Sequence, residues 1–315
     1  MEIVDRLTAF LYKSRLIRCI DYVDYRFLLP SLYYLPVRMS ERLVQWRGLI
    51  RYALDMDWRS VAVGHPHIKR DTEKALKFLC GEHVYNRKMV LERFIHQSRE
   101  EMEAIFYRGK ENWPRKVIFE NFDSFLSIRE QKRGLVLLSA HYDSCIAGIT
   151  FFGNKGFTVN IFFDDIVYDP QVPQYMQRFF RTKYKNIEKY LNGGIFISKN
   201  NLKDIYSRLS KGEIFIVVSD VLNRPQGIKV QFMNKECTAP YGALKIPLKT
   251  NSYLGAFITL WEGNGVYRTI CATPALLSEA EDPVEAVRGY YRFLTDIVLE
   301  APERWWASDK LLEYC

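Results

Sequence analysis

A histidine follows a short apolar run in residues 137–148, which read LLSAHYDSCIAG. Residues 134–140, GLVLLSA, have the nearly continuous apolar pattern of a strand buried on both faces. Ligands of open α/β sheets bind beyond the carboxyl ends of the strands, so His141 is expected at such an end, where the next helix starts. Because the pKa of histidine lies near neutrality, His141 is a candidate general base. The alternative is a structural histidine that caps a helix.

Three side chains are candidate partners of His141. Residues 213–220, EIFIVVSD, predict a second strand that ends in Asp220, and parallel strands can end on the same rim of a sheet. A carboxylate there would fix the imidazole tautomer, as in a catalytic dyad. Asp143 lies two residues after His141 and would otherwise cap the start of the helix. Cys145 is either an activated thiol or a small buried side chain.

Strand and helix patterns alternate after residue 134. Strands are predicted over residues 134–140, 157–163, 194–198, 213–220, 253–261 and 265–272. Helices are predicted over residues 170–184, 200–212, 240–250, 282–300 and 301–314. This alternation favours an α/β fold with a central, mainly parallel sheet flanked by helices.

The first 130 residues read as helical. Residues 86–109 predict a long amphipathic helix that ends at a glycine, and residues 38–56 predict another with Ser40 as its N-cap. The apolar face of the second helix is expected at Leu43, Trp46, Leu49, Ile50 and Ala53. We therefore expect a single domain over residues 1–315, with a helical N-terminal region, residues 1–130, packed on an α/β core, residues 131–315.

The chain is basic, with a net charge of +8 and a pI of about 9.0. Its 315 residues, 48% of them hydrophobic, predict a substantial core and exclude global disorder. Excess positive charge favours an anionic partner. Residues 178–211 hold nine basic side chains against two acids, which is also the pattern of a solvated helix face. No DNA- or RNA-binding signature accompanies the charge, so a nucleic-acid partner is not predicted.

The six cysteines are scattered and lack the spacing of a zinc site, which predicts reduced thiols in a cytoplasmic protein and no metal. Charged residues at Glu2, Asp5 and Arg6 argue against a signal peptide. No uncharged apolar run reaches the roughly 18 residues of a membrane span. Basic and apolar side chains interleave in residues 1–50, so a peripheral membrane contact remains open.

Three segments together resemble the late acyltransferases of lipid A biosynthesis. Residues 120–148 resemble the approach to the family signature, a histidine followed five positions later by an acid. Residues 219–250 resemble a block with an aspartate, a variable turn, a strand ending in Phe, and Thr and Gly opening a helix. Residues 301–310, APERWWASDK, resemble the C-terminal Pro-Glu-x-Trp-Trp element. The resemblance implies a glycerol-phosphate-acyltransferase-like fold.

The same resemblance implies the chemistry. Such enzymes transfer an acyl group from a carrier-protein or coenzyme A thioester to a hydroxyl or amine, so the phosphopantetheine thioester is the donor and no bound cofactor is expected. His141 would deprotonate the acceptor, which is a glycolipid or a small specialised metabolite. Backbone N–H groups near Tyr142 and Asp143 would stabilise the oxyanion. An acidic carrier would dock on the basic segment, at Arg178, Arg181 and Lys185.

The chain departs from the family signature at Ile146, where the family has its acid. Asp143 or Asp220 supplies the missing carboxylate, or the chemistry is altered or lost. We favour Asp220, because Asp143 is too close to His141 in sequence to face it from the same turn. The alternative function is a non-catalytic protein that binds acyl chains or lipids. As an enzyme, the protein is expected in the cytoplasm or peripherally on the inner membrane.

Overall fold

An eight-stranded sheet lies at the centre of this computed structural model, which describes residues 15–62, 67–163, 168–196, 202–220 and 226–314. The main strands, in chain order, are β1 (Lys116–Glu120), β2 (Leu135–Ser139), β3 (Val159–Phe162), β4 (Ile195–Phe196) and β5 (Ile214–Val218). They are followed by β6 (Gly227–Phe232), β7 (Lys235–Pro240), β8 (Tyr253–Gly263), β9 (Val266–Cys271) and β10 (Ala275–Leu276). Strands β6 and β7 form a separate hairpin.

The strand order in the main sheet is β1-β9-β8-β2-β5-β3-β4, with β10 beside β8. Strand β2 runs parallel to both β5 and β8, and β3 runs parallel to both β5 and β4. The sheet is thus mainly parallel, as predicted, and β9 and β10 run antiparallel to β8. Ser139 pairs with Val218, so β2 and β5 end at the same level of one edge. His141 and Asp220 follow these two strand ends.

Helices cover both faces of the sheet. Their bounds are α1 (Arg15–Val23), α2 (Val37–Ala53), α3 (Trp58–Ala62), α4 (Ile68–Cys80), α5 (Arg87–Phe106), α6 (Asp123–Glu130), α7 (Cys145–Asn154), α8 (Gln174–Glu188), α9 (Leu202–Leu209), α10 (Gly242–Thr250), α11 (Pro283–Glu300) and α12 (Leu311–Tyr314). Alternate residues of a strand face opposite sides, so Leu137 packs with helices α5 and α7, whereas Leu138 packs with α11.

Several sequence expectations need correction. Strand β1 lies inside the first 130 residues, which were predicted to be helical, and it pairs with β9 of the core sheet. Residues 301–314 do not form one helix, because Trp305 and Trp306 lie in irregular backbone between short helical turns. Cys237 takes part in a disulfide, so the expectation of reduced thiols is wrong for this residue. Within the part of the chain that the structure describes, no helix is both long and apolar enough to span a bilayer.

Helix α2 exposes the apolar side chains that were predicted to face the core and buries two arginines. The predicted apolar face is exposed, with 66% of Trp46 and 52% of Ile50 accessible to solvent. The predicted N-cap, Ser40, lies instead within the first turn of the helix, whose cap position is Pro36. The buried residues of the helix include two arginines, Arg47 and Arg51, each only 3% exposed, beside Ser40, Val44 and Gly48.

Buried acids explain why these arginines face inward. Asp24 accepts from Arg47 Nε at 2.8 Å and from Arg51 Nη2 at 2.5 Å, and Glu101 of α5 lies 2.5 Å from Arg47 Nη2. Burial opposes the charge on Asp24, but the two guanidinium groups outweigh it and lower the Asp24 pKa to about 2. The ion cluster thus joins the segment after α1 to α2 and α5.

The inverted helix predicts opposite outcomes at neighbouring positions. Replacing Arg47→Met leaves Asp24 and Glu101 short of a counter-charge and should lower the free energy of unfolding by about 3–5 kcal/mol. Replacing Trp46→Ser should change it by less than about 0.5 kcal/mol, because that side chain is mostly in water. Urea unfolding measures both, and a larger loss for Trp46→Ser would contradict the inverted arrangement.

Candidate active site

His141 and Asp220 form a hydrogen-bonded pair at the carboxyl ends of β2 and β5. His141 Nδ1 lies 2.6 Å from Asp220 Oδ1, and the His141 backbone N–H donates to Asp220 Oδ2 at 2.8 Å. The carboxylate is fully buried, whereas 29% of the imidazole is exposed. The pair therefore has one side closed in the protein and one side open to an incoming molecule.

The carboxylate of Asp220 determines which ring nitrogen of His141 carries the hydrogen. Burial raises the pKa of Asp220, but the charge of His141 and hydrogen bonds from His141 and Trp305 more than offset this, and the pKa lies below its usual value. An ionised carboxylate only accepts hydrogen bonds, so Nδ1 carries the hydrogen and donates it to Asp220. In the neutral ring Nε2 then carries no hydrogen, and it is the atom that can take a proton from a bound molecule.

Trp305 and Trp306, in the C-terminal segment, hold both members of the pair. Trp305 is fully buried, and its Nε1 donates to Asp220 Oδ2 at 2.7 Å. The backbone N–H of Trp306 donates to the His141 carbonyl at 3.1 Å. The Trp306 ring meets the imidazole edge to face, with 4.6 Å between ring centroids. In the sequence this Trp-Trp pair matches the family element but has no evident role. The available signal is chemical, because a buried indole N–H needs a hydrogen-bond acceptor.

A network of buried ion pairs holds the segment of Trp305 and Trp306 in place. Arg93 of α5 donates to the Trp306 carbonyl at 2.6 Å and lies 3.2 Å from both Asp57 and Asp309. Arg59 of α3 also contacts both acids. Burial opposes the charge of Asp57, but the two arginines lower its pKa to about 2. The N-terminal helices thus reach the active site through charged side chains.

Asp143 does not contact the imidazole. Its carboxylate accepts from Arg99 and from Arg304 Nη1, and from the backbone N–H of Trp261 at 3.1 Å. Asp143 is fully buried and has a φ of 48°, a left-handed conformation that aspartate tolerates better than most residues. The expected helix cap is wrong too, because helix α7 begins only at Cys145. Asp143 holds the turn after His141 instead.

The expected oxyanion donors are already engaged. The Tyr142 N–H donates to the Ala140 carbonyl at 2.7 Å, and the Asp143 N–H donates to the Arg304 carbonyl at 2.9 Å. These two amides are therefore not free to bind an oxyanion, which corrects that expectation. Cys145 is buried, and burial raises its thiol pKa well above the usual value, so it lacks the thiolate character of a nucleophile.

Ile146, at the position of the family acid, is buried among apolar side chains on α7. A buried carboxylic acid lies nearby. Glu103 of α5 accepts from Ser144 Oγ at 2.8 Å and from the Tyr267 hydroxyl at 3.0 Å. Burial dominates over the Arg99 charge and raises the Glu103 pKa to about 8. Glu103 is thus largely protonated at neutral pH and supports the His141 turn without adding a charge to it.

The basic residues proposed for docking share one face of helix α8. Arg178, Arg181 and Lys185 are exposed and line one surface depression. Lys183, on the same helix, points inward to Glu100. A neighbouring cleft of about 390 Å³ brings Arg178 together with Arg26 and Arg108. Groups of three or more potential metal ligands were not found among the residues that the structure describes.

A mainly parallel sheet flanked by helices, with a histidine–carboxylate pair at its carboxyl edge, fits an acyltransferase of the lipid A type. Residues 69–312, well over half of the 315-residue chain, match the family of bacterial lipid A biosynthesis acyltransferases. The chain therefore belongs to the bacterial lipid A biosynthesis acyltransferase family and is an acyltransferase.

Among solved structures, the chain is similar to the crystal structure of the 1-acyl-sn-glycerophosphate (LPA) acyltransferase PlsC from Thermotoga maritima. The identity is 14% and the TM-score 0.37, and the alignment covers 83% of this chain and 97% of that one. No curated protein sequence matches the chain.

The raised pKa of Glu103 predicts a pH-dependent stability. Between about pH 4.5 and 8 an unfolded chain ionises this side chain while the folded protein keeps it protonated. The wild type should therefore lose stability relative to Glu103→Gln as pH rises, at up to about 1.4 kcal/mol per pH unit. Urea unfolding at pH 5 and pH 8 measures the difference. The exposed control Glu236→Gln should follow the wild-type curve, and a pH-independent offset for Glu103→Gln would contradict a buried neutral acid.

Proposed function

We propose that the protein moves an acyl group from a carrier-protein or coenzyme A thioester to a hydroxyl or amine, with His141 as the general base. The observation that carries this proposal is the His141–Asp220 pair, in which a buried carboxylate orients a partly exposed imidazole. A histidine surrounded only by apolar groups would have favoured the alternative, a protein that binds acyl chains without reacting. The family match supports the same choice.

The proton transfers follow from the ring geometry. His141 Nε2 takes the proton of the acceptor O–H or N–H as the acceptor atom attacks the thioester carbonyl carbon. Asp220 stabilises the imidazolium through Nδ1–H. When the tetrahedral intermediate collapses, the carbon–sulfur bond breaks and the imidazolium returns its proton to the departing thiolate. The donor thus leaves as a free thiol, and His141 is restored.

The basic face of α8 is the proposed docking site of the donor. Acyl carrier proteins are acidic, and their phosphopantetheine arm carries a phosphate, as coenzyme A does. Arg178, Arg181 and Lys185 offer exposed positive charge for a carrier surface. In the adjoining cleft Arg26, Arg108 and Arg178 meet. The described residues that line it include no acidic side chain, so the cleft is suited to the phosphate.

The acceptor class extends from glycolipids to small specialised metabolites with a hydroxyl or an amine. A glycolipid acceptor would place the enzyme at the surface of the inner membrane. Incubating the protein with acyl-carrier and acyl-coenzyme A donors, and measuring the mass of any new acylated product, tests donor and acceptor together.

Removing the base should abolish most of the activity. A positioned general base contributes roughly 10²- to 10⁴-fold, so His141→Ala should lower kcat by about that factor. Asp220→Asn should also lower kcat strongly, because an amide at Nδ1 can favour the wrong imidazole tautomer. Product formation under saturating donor, with circular dichroism to verify folding, measures both. Near-full activity of a folded His141→Ala protein would refute the assignment.

Asp143 and Ile146 provide matched controls for this experiment. Asp143→Asn should reduce stability more than kcat, because Asp143 neutralises Arg99 and Arg304 and does not touch the imidazole. Restoring the family acid with Ile146→Glu should bring little gain and cost stability, since it places a charge in an apolar site. A larger kcat loss in Asp143→Asn than in Asp220→Asn would contradict the proposed pairing.

Charge reversal tests the docking face. Replacing Arg178, Arg181 and Lys185 together by Glu should raise KM for an acyl-carrier donor at low salt with little change in kcat, and the loss should shrink at high salt. The same reversal at Lys74, Arg87 and Lys116, which are exposed elsewhere, is the control. An unchanged KM at low salt would remove this face from the donor interface.

A further inference from the structure

Three hydrogen bonds converge on the Asp220 carboxylate, and one of them comes from outside His141. Oδ1 faces the His141 ring nitrogen at 2.6 Å, and Oδ2 accepts from the His141 backbone N–H at 2.8 Å and from Trp305 Nε1 at 2.7 Å. Among the residues that the structure describes, no lysine or arginine lies within ion-pair distance of this carboxylate. The donors therefore decide how much negative charge Asp220 presents to the imidazole.

The titratable side chains that face Asp220 from helices α7 and α11 are neutral. Burial, together with the Asp220 charge, raises the pKa values of the Cys145 thiol on α7 and of the Tyr291 phenol on α11, so both stay protonated near neutral pH. Glu100 and Lys183, which also influence Cys145, form an ion pair with each other, so their charges largely cancel. The charge of Asp220 is thus balanced by the imidazole and by hydrogen bonds.

The Trp305 indole is held in place from two sides. Its ring is fully buried and meets Phe232 of strand β6 edge to face, with 5.9 Å between ring centroids. Its backbone pairs with Tyr142 in an isolated antiparallel bridge next to His141. An indole packed in this way cannot turn to another acceptor without opening the core, so the direction of its N–H bond is fixed by the fold.

A tryptophan that is buried only for packing is the alternative interpretation. Such a side chain also needs a hydrogen-bond acceptor, and a backbone carbonyl would serve. The neighbouring Trp306 provides the contrast: its ring contacts the imidazole, but within the described structure its buried Nε1 has no hydrogen-bond partner. The two indoles at the site therefore differ in one respect, since the Trp305 N–H reaches the Asp220 carboxylate and the Trp306 N–H does not.

We propose that Trp305 is a positioning residue of the acyl transfer, which acts on His141 through Asp220. Its N–H holds Oδ2, so that Oδ1 stays aligned with His141 Nδ1, and it takes up part of the carboxylate charge. An imidazolium that faces this shared charge is stabilised less strongly than one that faces a carboxylate without the indole. The inference deepens the proposed function and rests on it for the role of His141 as the base.

Sharing the carboxylate affects both halves of the proton cycle. The base must bind the proton of the acceptor and then release it to the departing thiolate, so an imidazolium that Asp220 stabilises too strongly returns its proton slowly. Trp305 limits that stabilisation and also keeps Asp220 from rotating away from Nδ1. Both effects act on kcat rather than on donor or acceptor binding, because the fully buried Trp305 cannot touch either molecule.

Nitrogen NMR of the full-length protein with isotope-labelled histidine tests the proposal without donor or acceptor. The signal of His141 is the one that His141→Ala lacks. Trp305→Phe keeps an aromatic ring and removes the N–H, so the midpoint of the His141 titration should rise by about half a pH unit to one unit. In acyl transfer the acidic limb of the pH profile of kcat should move by the same amount. At its plateau kcat should fall about tenfold with KM unchanged.

Trp306→Phe and Trp46→Phe are the matched controls. Trp306→Phe removes an indole N–H that has no partner in the described structure, so the His141 midpoint should stay at its wild-type value even where altered packing lowers kcat. Trp46→Phe changes an exposed ring and should leave both the midpoint and kcat unchanged. Urea unfolding verifies that each variant is folded. An unchanged midpoint in a folded Trp305→Phe protein would overturn the proposal, because a loss of kcat alone is then a packing effect.

A measurement on the wild type covers the case in which Trp305→Phe does not fold. The Trp305 indole proton, assigned through its bonds to the backbone, should shift with pH along the same curve as His141, since both side chains donate to one carboxylate. An indole resonance that ignores the His141 titration would count against the proposal. Coupled titrations in a protein without acyl transfer would refute the proposed function and leave the coupling of Trp305 to His141 intact, and transfer without coupling would do the reverse.

Discussion

The buried carboxylate of Asp220 is the interaction on which the site depends. It accepts hydrogen bonds from the imidazole and backbone N–H of His141 and from the indole of Trp305. The two donors of His141 follow the end of strand β2, and the donor of Trp305 lies in the C-terminal segment. Asp220 itself follows the end of β5. A fully buried charge is tolerated only when such donors satisfy it. The same bonds that stabilise the charge also fix the imidazole, so the stability and the chemistry of the site cannot be separated.

A second layer of charge links the N-terminal helices to this centre. Arg93 of helix α5 holds the Trp306 carbonyl and two buried acids, and Arg47 and Arg51 hold Asp24, with Arg47 also paired to Glu101 of the same helix. Buried ion pairs add little net stability but make a misplaced charge very costly. They therefore select one packing of the helices. That packing places Trp306 against His141 and turns the apolar side chains of α2 outward, so the buried ion pairs shape both the site and the exposed surface of α2.

The sequence predicts what depends on local pattern. Strands β2 and β5, and helices α5 and α11, follow from continuous apolar runs or from periodicity, and the mainly parallel sheet follows from their alternation. Helix α2 shows the limit. Its position was predicted, but its buried face was assigned to Trp46 and Ile50, because a hydrophobic pattern cannot show that Asp24 and Glu101 draw Arg47 and Arg51 inward. Strand β1 was not predicted for a similar reason, because its partner β9 lies far away in sequence.

The replacement of the family acid by Ile146 shows how far the site could be inferred. A motif read along the chain places the partner of the histidine on the following helix, and there the chain has only an apolar residue packed in the core. The topology of the sheet offers another source, because β2 and β5 are parallel neighbours whose ends meet at one edge. Two separate segments that each predict a strand ending in a polar residue were enough to predict that Asp220 lies beside His141. It could not supply the third member, since the backbone of residues 301–306 follows no periodic pattern, and Trp305 reaches Asp220 only through the folded C-terminal segment. The carboxylate that a helix lacks can thus come from a neighbouring strand, provided that an additional donor holds it in place.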